Sequence, residues 1–144
     1  MKKLSIFVFV SFASMLGWAF TADHFAKNYQ RELINSAWQV KKMQYKSTYA
    51  IINFKKPYTV NFSDDNVSFQ LEKNQCGAEL LLAANTFRIG DQGGICSTMC
   101  CDSPQGSKFA QALTSKLVKK YQIKGNQLII KDKNYTFWLE KLKK

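Results

Sequence analysis

From residue 37 onward the chain alternates apolar and polar residues in short runs, the period of strands that bury one face. Trp38, Val40 and Met43 mark a first run and residues 49–54 (YAIINF) a second. Tyr58, Val60 and Phe62 alternate with Thr59 and Asn61. Pro57 separates the last two runs, because proline brings no amide proton to a ladder. Ser63-Asp64-Asp65-Asn66 predicts a turn, after which Val67, Phe69 and Leu71 alternate with Ser68, Gln70 and Glu72. Residues 74–77 predict a further turn. Residues 78–83 and 86–89 predict two strands around Asn85, residues 90–94 a hairpin loop, and residues 95–99 another strand.

The period then changes. Ser103-Pro104 is a helix entry, with serine as cap and proline at the first position. Phe109, Ala112, Leu113 and Leu117 repeat at helical spacing, with Lys108, Lys116, Lys119 and Lys120 largely opposite. Lysines in a last turn suit the negative end of the helix dipole. Residues 121–123 and 128–130 predict strands joined through Gly125-Asn126, a hairpin signal. Residues 131–134 form a turn and 135–139 the closing strand. Upstream, Phe25, Tyr29 and Leu33 place one stripe on a short helix over residues 23–34. The fold class that follows is mainly β (α+β): a strongly curved antiparallel sheet or small barrel of about eight strands, packed by one helix. Regular strand–helix alternation, which a parallel sheet would require, is absent.

The first residues are not part of that fold. Lys2 and Lys3 precede an apolar run at residues 4–16, and Gly17-Trp18-Ala19 places small residues at −3 and −1 of a cleavage point. This is the signal-peptide pattern, and the run is shorter than the roughly 20 residues of a membrane-spanning helix. Residues 1–19 are therefore expected to be a signal peptide, with an uncleaved anchor as the minor alternative. Residues 20–35 are expected to be a leader or short helix and 36–144 one domain. The expected location is the periplasm or the medium.

With 144 residues, 46% of them hydrophobic, the chain fits one globular domain. Its formal charge is +11, or +9 once Lys2 and Lys3 are removed. Nineteen basic residues are lysine and only Arg31 and Arg88 are arginine. Arginine is the usual bidentate phosphate reader, so nucleic acid is not an expected partner, and export argues the same way. Lysine excess suits general attraction to anionic lipid or to an acidic envelope protein. The candidate contacts are Lys55-Lys56, Lys119-Lys120 and the lysines of 141–144, together with Trp138. Trp138 lies between Phe137 and Leu139, so one of the two faces of the sheet must carry it. A monomer is expected.

Four cysteines, Cys76, Cys96, Cys100 and Cys101, fall within 26 residues. In an oxidising compartment an even count reads as disulfides. A bond between the neighbours Cys100 and Cys101 needs a strained eight-membered ring. The expected pairing is Cys76–Cys101 with Cys96–Cys100, and the exchange of Cys100 for Cys101 stays open. A bridge from Cys76 would contribute about 3 kcal/mol. Zinc is not expected, because Cys96-x3-Cys100 is one knuckle and Cys76 has no neighbour to make a second. No other cofactor is expected.

The order of these motifs resembles the META domain, the HslJ-like family of exported bacterial proteins. Trp38 matches the family's early tryptophan and Val60-Asn61-Phe62 its strand ending in phenylalanine. Asn74-Gln75-Cys76-Gly77 stands where the family has Gly-Cys-Asn, and Thr98-Met99-Cys100-Cys101 resembles its Thr-x-Met-Ala-Cys segment. Phe109, Leu113, Tyr121, Ile123, Gly125, Leu128 and Ile130 match its helix and closing hairpin. The likeness runs from about residue 36 to 142. The chain departs from the pattern at Gln75, after Cys76, and at the helix start, where Gly106 or Ser107 replaces an acid; Cys96 and Cys100 are additional. The resemblance implies roles in envelope stress, antibiotic tolerance or virulence, with no catalytic residues to carry over. It also implies a likeness to secretin-pilot proteins, which bind a partner peptide or lipid in a hydrophobic cleft.

Enzymatic chemistry finds little support in the residues. Asp64-Asp65 sits in a turn, His24 has no evident partner, and residues 90–94 lack the lysine and helix of a phosphate loop. A catalytic reading would need Glu79, Asp91 or Asp102 gathered near a free cysteine. The expected function is a non-catalytic exported module that binds an envelope protein or lipid. The alternative is a secreted hydrolase inhibitor that uses a disulfide-braced loop at 90–103.

Overall fold

The computed structural model describes residues 30–34, 36–97 and 101–143. The expected signal peptide, His24 and most of the expected leader helix lie outside them. Residues 30–33 are helical, and Leu33 is fully buried at the base of the core.

Nine strands follow: β1 (Ser36–Tyr45), β2 (Ile51–Asn53), β3 (Thr59–Phe62), β4 (Asn66–Gln70), β5 (Gln75–Ala83), β6 (Thr86–Cys96), β7 (Lys119–Lys124), β8 (Gln127–Lys131) and β9 (Tyr135–Lys141). The helix α1 (Pro104–Leu113) lies between β6 and β7. Each strand pairs antiparallel with its neighbour, and β1 also pairs with β9 from Trp38–Lys141 to Tyr45–Tyr135. That last pairing closes eight strands into a barrel. The ninth, β2, is an addition on β1. The first part of β1 pairs with β3, and Lys42–Gln44 pair with Ile51–Asn53 of β2. Pro57 falls in the break between β2 and β3, as its missing amide requires.

Alternation decides which side chains fill the barrel. Trp38, Val40 and Met43 of β1, Val60 and Phe62 of β3, and Phe137 and Leu139 of β9 all point inward. Helix α1 plugs one mouth with Phe109. That ring lies 5.7 Å from Phe54, 5.8 Å from Tyr58, 5.9 Å from Phe69 and 6.0 Å from Phe137, centroid to centroid.

Two expectations are corrected. Residues 90–94 are not a hairpin loop but part of β6, because Ala78 pairs with Gly94 while Leu80 pairs with Ile89. Four residues of β6 thus stand against Glu79 alone, in an extended bulge. The helix also ends at Leu113, so Lys116, Lys119 and Lys120 are not on it. Thr114 and Ser115 return their hydroxyls to the carbonyls of Ala110 and Ala112, which competes with continuation of the helix.

Candidate functional site

The N-terminus of α1 gathers the densest polar cluster among the described residues. Ser103 is the N-cap, and its hydroxyl accepts from the Gly106 amide at 3.1 Å. The same hydroxyl donates to Glu72 Oε1, as does the Tyr58 hydroxyl. Lys56 Nζ lies 3.9 Å from that oxygen. A Cβ on Gly106 would come within 2.6 Å of Glu72 Oε2, so the helix start needs glycine to admit the carboxylate. Burial pushes the Glu72 carboxyl up, but hydrogen bonds from Ser103 and Tyr58 outweigh it and hold the group below the usual range. Burial, then the bond to Glu72, pushes the Tyr58 hydroxyl up to about 12. Next to it, Asp102 Oδ1 accepts from the Lys73 amide at 2.9 Å and Oδ2 from the Asn74 side chain. Burial pushes Asp102 up, but these bonds leave it lower than usual. The cluster ties the β4–β5 turn to the start of α1. A shallow cavity of about 290 Å³ opens beside it, lined in part by Lys55, Lys56, Tyr58 and Glu72.

A second polar pair is sealed inside the barrel. The Lys119 side chain is fully buried, so it is not the surface contact its sequence suggested. Its ammonium donates to the carbonyls of Ser115 at 2.6 Å and Leu117 at 3.1 Å, and lies 3.9 Å from Asp132 Oδ2. Burial pushes Lys119 down to about 8, against the opposite pull of Asp132. Tyr121 and Ile123 face inward on β7, and strand alternation carries Lys119 inward with them.

The outer face of β2, β1, β9, β8 and β7 is different in character. One cross-strand row runs Asn53, Lys42, Trp138, Ile129, Gln122, and the next runs Ile51, Gln44, Thr136, Lys131, Lys120. Neither row holds a carboxylate. Lys42 Nζ sits 4.4 Å from the centre of the Trp138 ring. Lys120 and Lys131 stand directly opposite each other, a like-charge pair that costs stability. Neither has an ion-pair partner among the described residues. In the adjacent row, Glu140 is taken up by Lys41 at 2.9 Å.

Among the expected contacts, Trp138 and Lys120 share this face, while Lys55 and Lys56 lie in the β2–β3 connection. Lys42, Ile129 and Ile51 escaped the sequence reading, although alternation with Met43, Leu128 and Ile52 marks them as outward. The cysteines pair differently from the expectation. Cys76 bonds to Cys96, its direct cross-strand neighbour, and Cys101 is a free, exposed thiol. Cys100 lies outside the described residues. The bulge in β6 shifts Cys96 into register with Cys76, a displacement that spacing alone does not reveal. The carboxylates of the catalytic reading do not converge: Glu79 packs on Gly90, Asp91 is exposed and pairs with Arg88, and both oxygens of Asp102 are engaged.

The profile of the META domain matches residues 31–143. The chain belongs to the META domain family. A protein from Burkholderia xenovorans, determined by NMR, superposes with a TM-score of 0.63 at 15% identity, over 79% of this chain and 86% of that one. A second NMR structure superposes with a TM-score of 0.56 at 15% identity, over 76% and 92%. At such identity the likeness is one of fold alone. No curated protein matches by sequence.

Proposed function

We propose that this META protein is an exported, non-catalytic module that binds a partner at the cell envelope. The observation that carries this reading is the filling of the barrel. Trp38, Phe62, Phe69, Phe87, Phe109 and Phe137 occupy the interior at 2% exposure or less, so ligand recognition falls to the outer surface. The polar clusters support the same reading, since their hydrogen bonds are spent on a turn and on helix ends. The apolar run at residues 4–16 supports export.

The test is intact-mass analysis of the protein from fractionated cells of its host. A periplasmic or secreted species beginning at Phe20 is the expected result. A cytoplasmic species that retains Met1–Ala19 overturns it.

A second reading, inhibition of a hydrolase, draws on one feature. The Cys76–Cys96 bond braces β6 where Ile95 is 71% exposed. Inhibition of an envelope hydrolase that is lost in Ile95→Asp would favour it.

A further inference from the structure

We infer that the outer face of β2, β1, β9, β8 and β7 docks on an anionic lipid surface, with Ile51, Trp138 and Ile129 as apolar contacts and Lys42, Lys120 and Lys131 as headgroup contacts. The inference rests on the envelope-module reading and assigns that module a surface and a ligand.

Four observations converge on this face. The first is charge: the two rows carry three lysines and no carboxylate, and residues 33–63, which supply β1, β2 and β3, contain five lysines and no acid. The second is the Lys120–Lys131 opposition. Two ammonium groups facing each other across adjacent strands repel, and an external anion relieves that repulsion. The third is apolar exposure among the cations. Ile51 is 52% exposed, Ile129 and Trp138 are partly exposed side by side, and Tyr49 is 77% exposed in the turn that leads into β2. Tyr49 also holds a positive φ of 57°, a conformation that residues other than glycine rarely adopt.

The fourth is shape, which favours lipid over protein. Hot spots of protein interfaces sit in pockets that a partner side chain fills. Ile129, Trp138, Lys42, Lys120 and Lys131 stand outward on their strands, apart from the cavities beside Ser36 and Phe62, beside Tyr45 and Tyr135, and beside Glu72. The face is the convex wall of a barrel. A membrane interface needs only an apolar centre and a basic surround, and it tolerates the flexible point charges of lysine. An aromatic ring with a lysine stacked on it suits the headgroup level, where one side is apolar and the other wet.

The test is co-sedimentation of the protein, as isolated from its host, with vesicles of phosphatidylcholine mixed with phosphatidylglycerol, against pure phosphatidylcholine. The expected result is binding to the anionic vesicles alone, weakening as salt rises. Lys120→Glu with Lys131→Glu should lower that binding by tenfold or more, since each lysine near the surface contributes on the order of 1 kcal/mol. Trp138→Ala and Ile51→Asn should lower it several-fold and leave its salt dependence unchanged. Far-ultraviolet circular dichroism confirms that each variant keeps the barrel. Equal binding by the double variant overturns the inference, because another surface or the leader then holds the lipid. Failure of the wild type to bind anionic vesicles overturns it as well, and capture of an acidic protein by the same lysines would then name the occupant. Export is scored separately. An exported protein that ignores vesicles defeats this inference alone, and a vesicle-binding protein retained in the cytoplasm defeats the envelope reading alone.

Discussion

Gly106 and Lys119 show how far a single position can depart from its residue type. Glycine in a helix costs about 1 kcal/mol relative to alanine, so Gly106→Ala should stabilise α1 on propensity alone. Here the new Cβ would lie 2.6 Å from Glu72 Oε2 and 3.1 Å from the Tyr58 hydroxyl. The expected outcome is a net loss of about 1–2 kcal/mol, read by urea denaturation, because the buried carboxylate must give up hydrogen bonds to make room. For Lys119, the folded pKa of about 8 lies below the ordinary 10.5. Between those values the unfolded chain binds the extra proton, so stability rises with pH from about 8. Tyr58 and Tyr121, both raised from 10.0 to about 12, act in the opposite sense, and stability falls between about 10 and 12. Thermal melts across this range should show the rise and then the fall, and Lys119→Met should abolish only the rise. The burial of Lys119 was legible in principle. Counting back in steps of two from Ile123 and Tyr121 reaches it, but lysine's usual place at the surface masked the pattern.

At the scale of elements, α1 is held by what its first turn touches. Glu72 and Asp102 have folded pKa values below their ordinary 4.5 and 3.8, so their ionised forms favour the native state. That stability is present above those ordinary values and is lost as pH falls through the folded ones. Acid should therefore loosen the β4–β5 turn and the helix start before the strands. Glu72→Gln should cost about 1–2 kcal/mol at neutral pH and flatten the acid limb of the melting curve; an unchanged acid limb would show that the carboxylate is not what ties the turn to the helix. The start of this helix was readable from Ser103-Pro104, since cap and first-turn residues act locally. Its end was not. Leu117 continues the apolar spacing, yet the Thr114 and Ser115 hydroxyls and the demand of Lys119 for free carbonyls stop the helix at Leu113. The outer face divides in the same way. Trp138 was marked by its two inward neighbours, whereas Lys42 and Ile51 acquire meaning only once β2 is laid against β1.

For the whole molecule, closure is the property that local patterns do not contain. Strand number and antiparallel order follow from alternation and turns, but the β1–β9 seam joins residues about a hundred positions apart and follows only from the shared curvature of the sheet. The disulfide depends on the same global register. Cys76 and Cys96 meet because the β6 bulge absorbs extra residues, and their bond clamps the end of the β5–β6 pair, where Gln75 and Ser97 also exchange hydrogen bonds. A sequence separation of 20 residues gives an expected contribution of about 3 kcal/mol. The paired variant Cys76→Ala with Cys96→Ala should lose about that much and keep the barrel, because the β1–β9 seam lies elsewhere in the sheet. Alkylation before reduction should label Cys101 in the wild type and leave Cys76 and Cys96 untouched, with peptide mapping to locate the label. A peptide linking Cys76 to Cys101 would refute this register of β6. It would also free Ile95 from the braced edge on which the inhibitor reading depends, whereas the basic outer face, built on β1, β2 and β7–β9, would be unaffected.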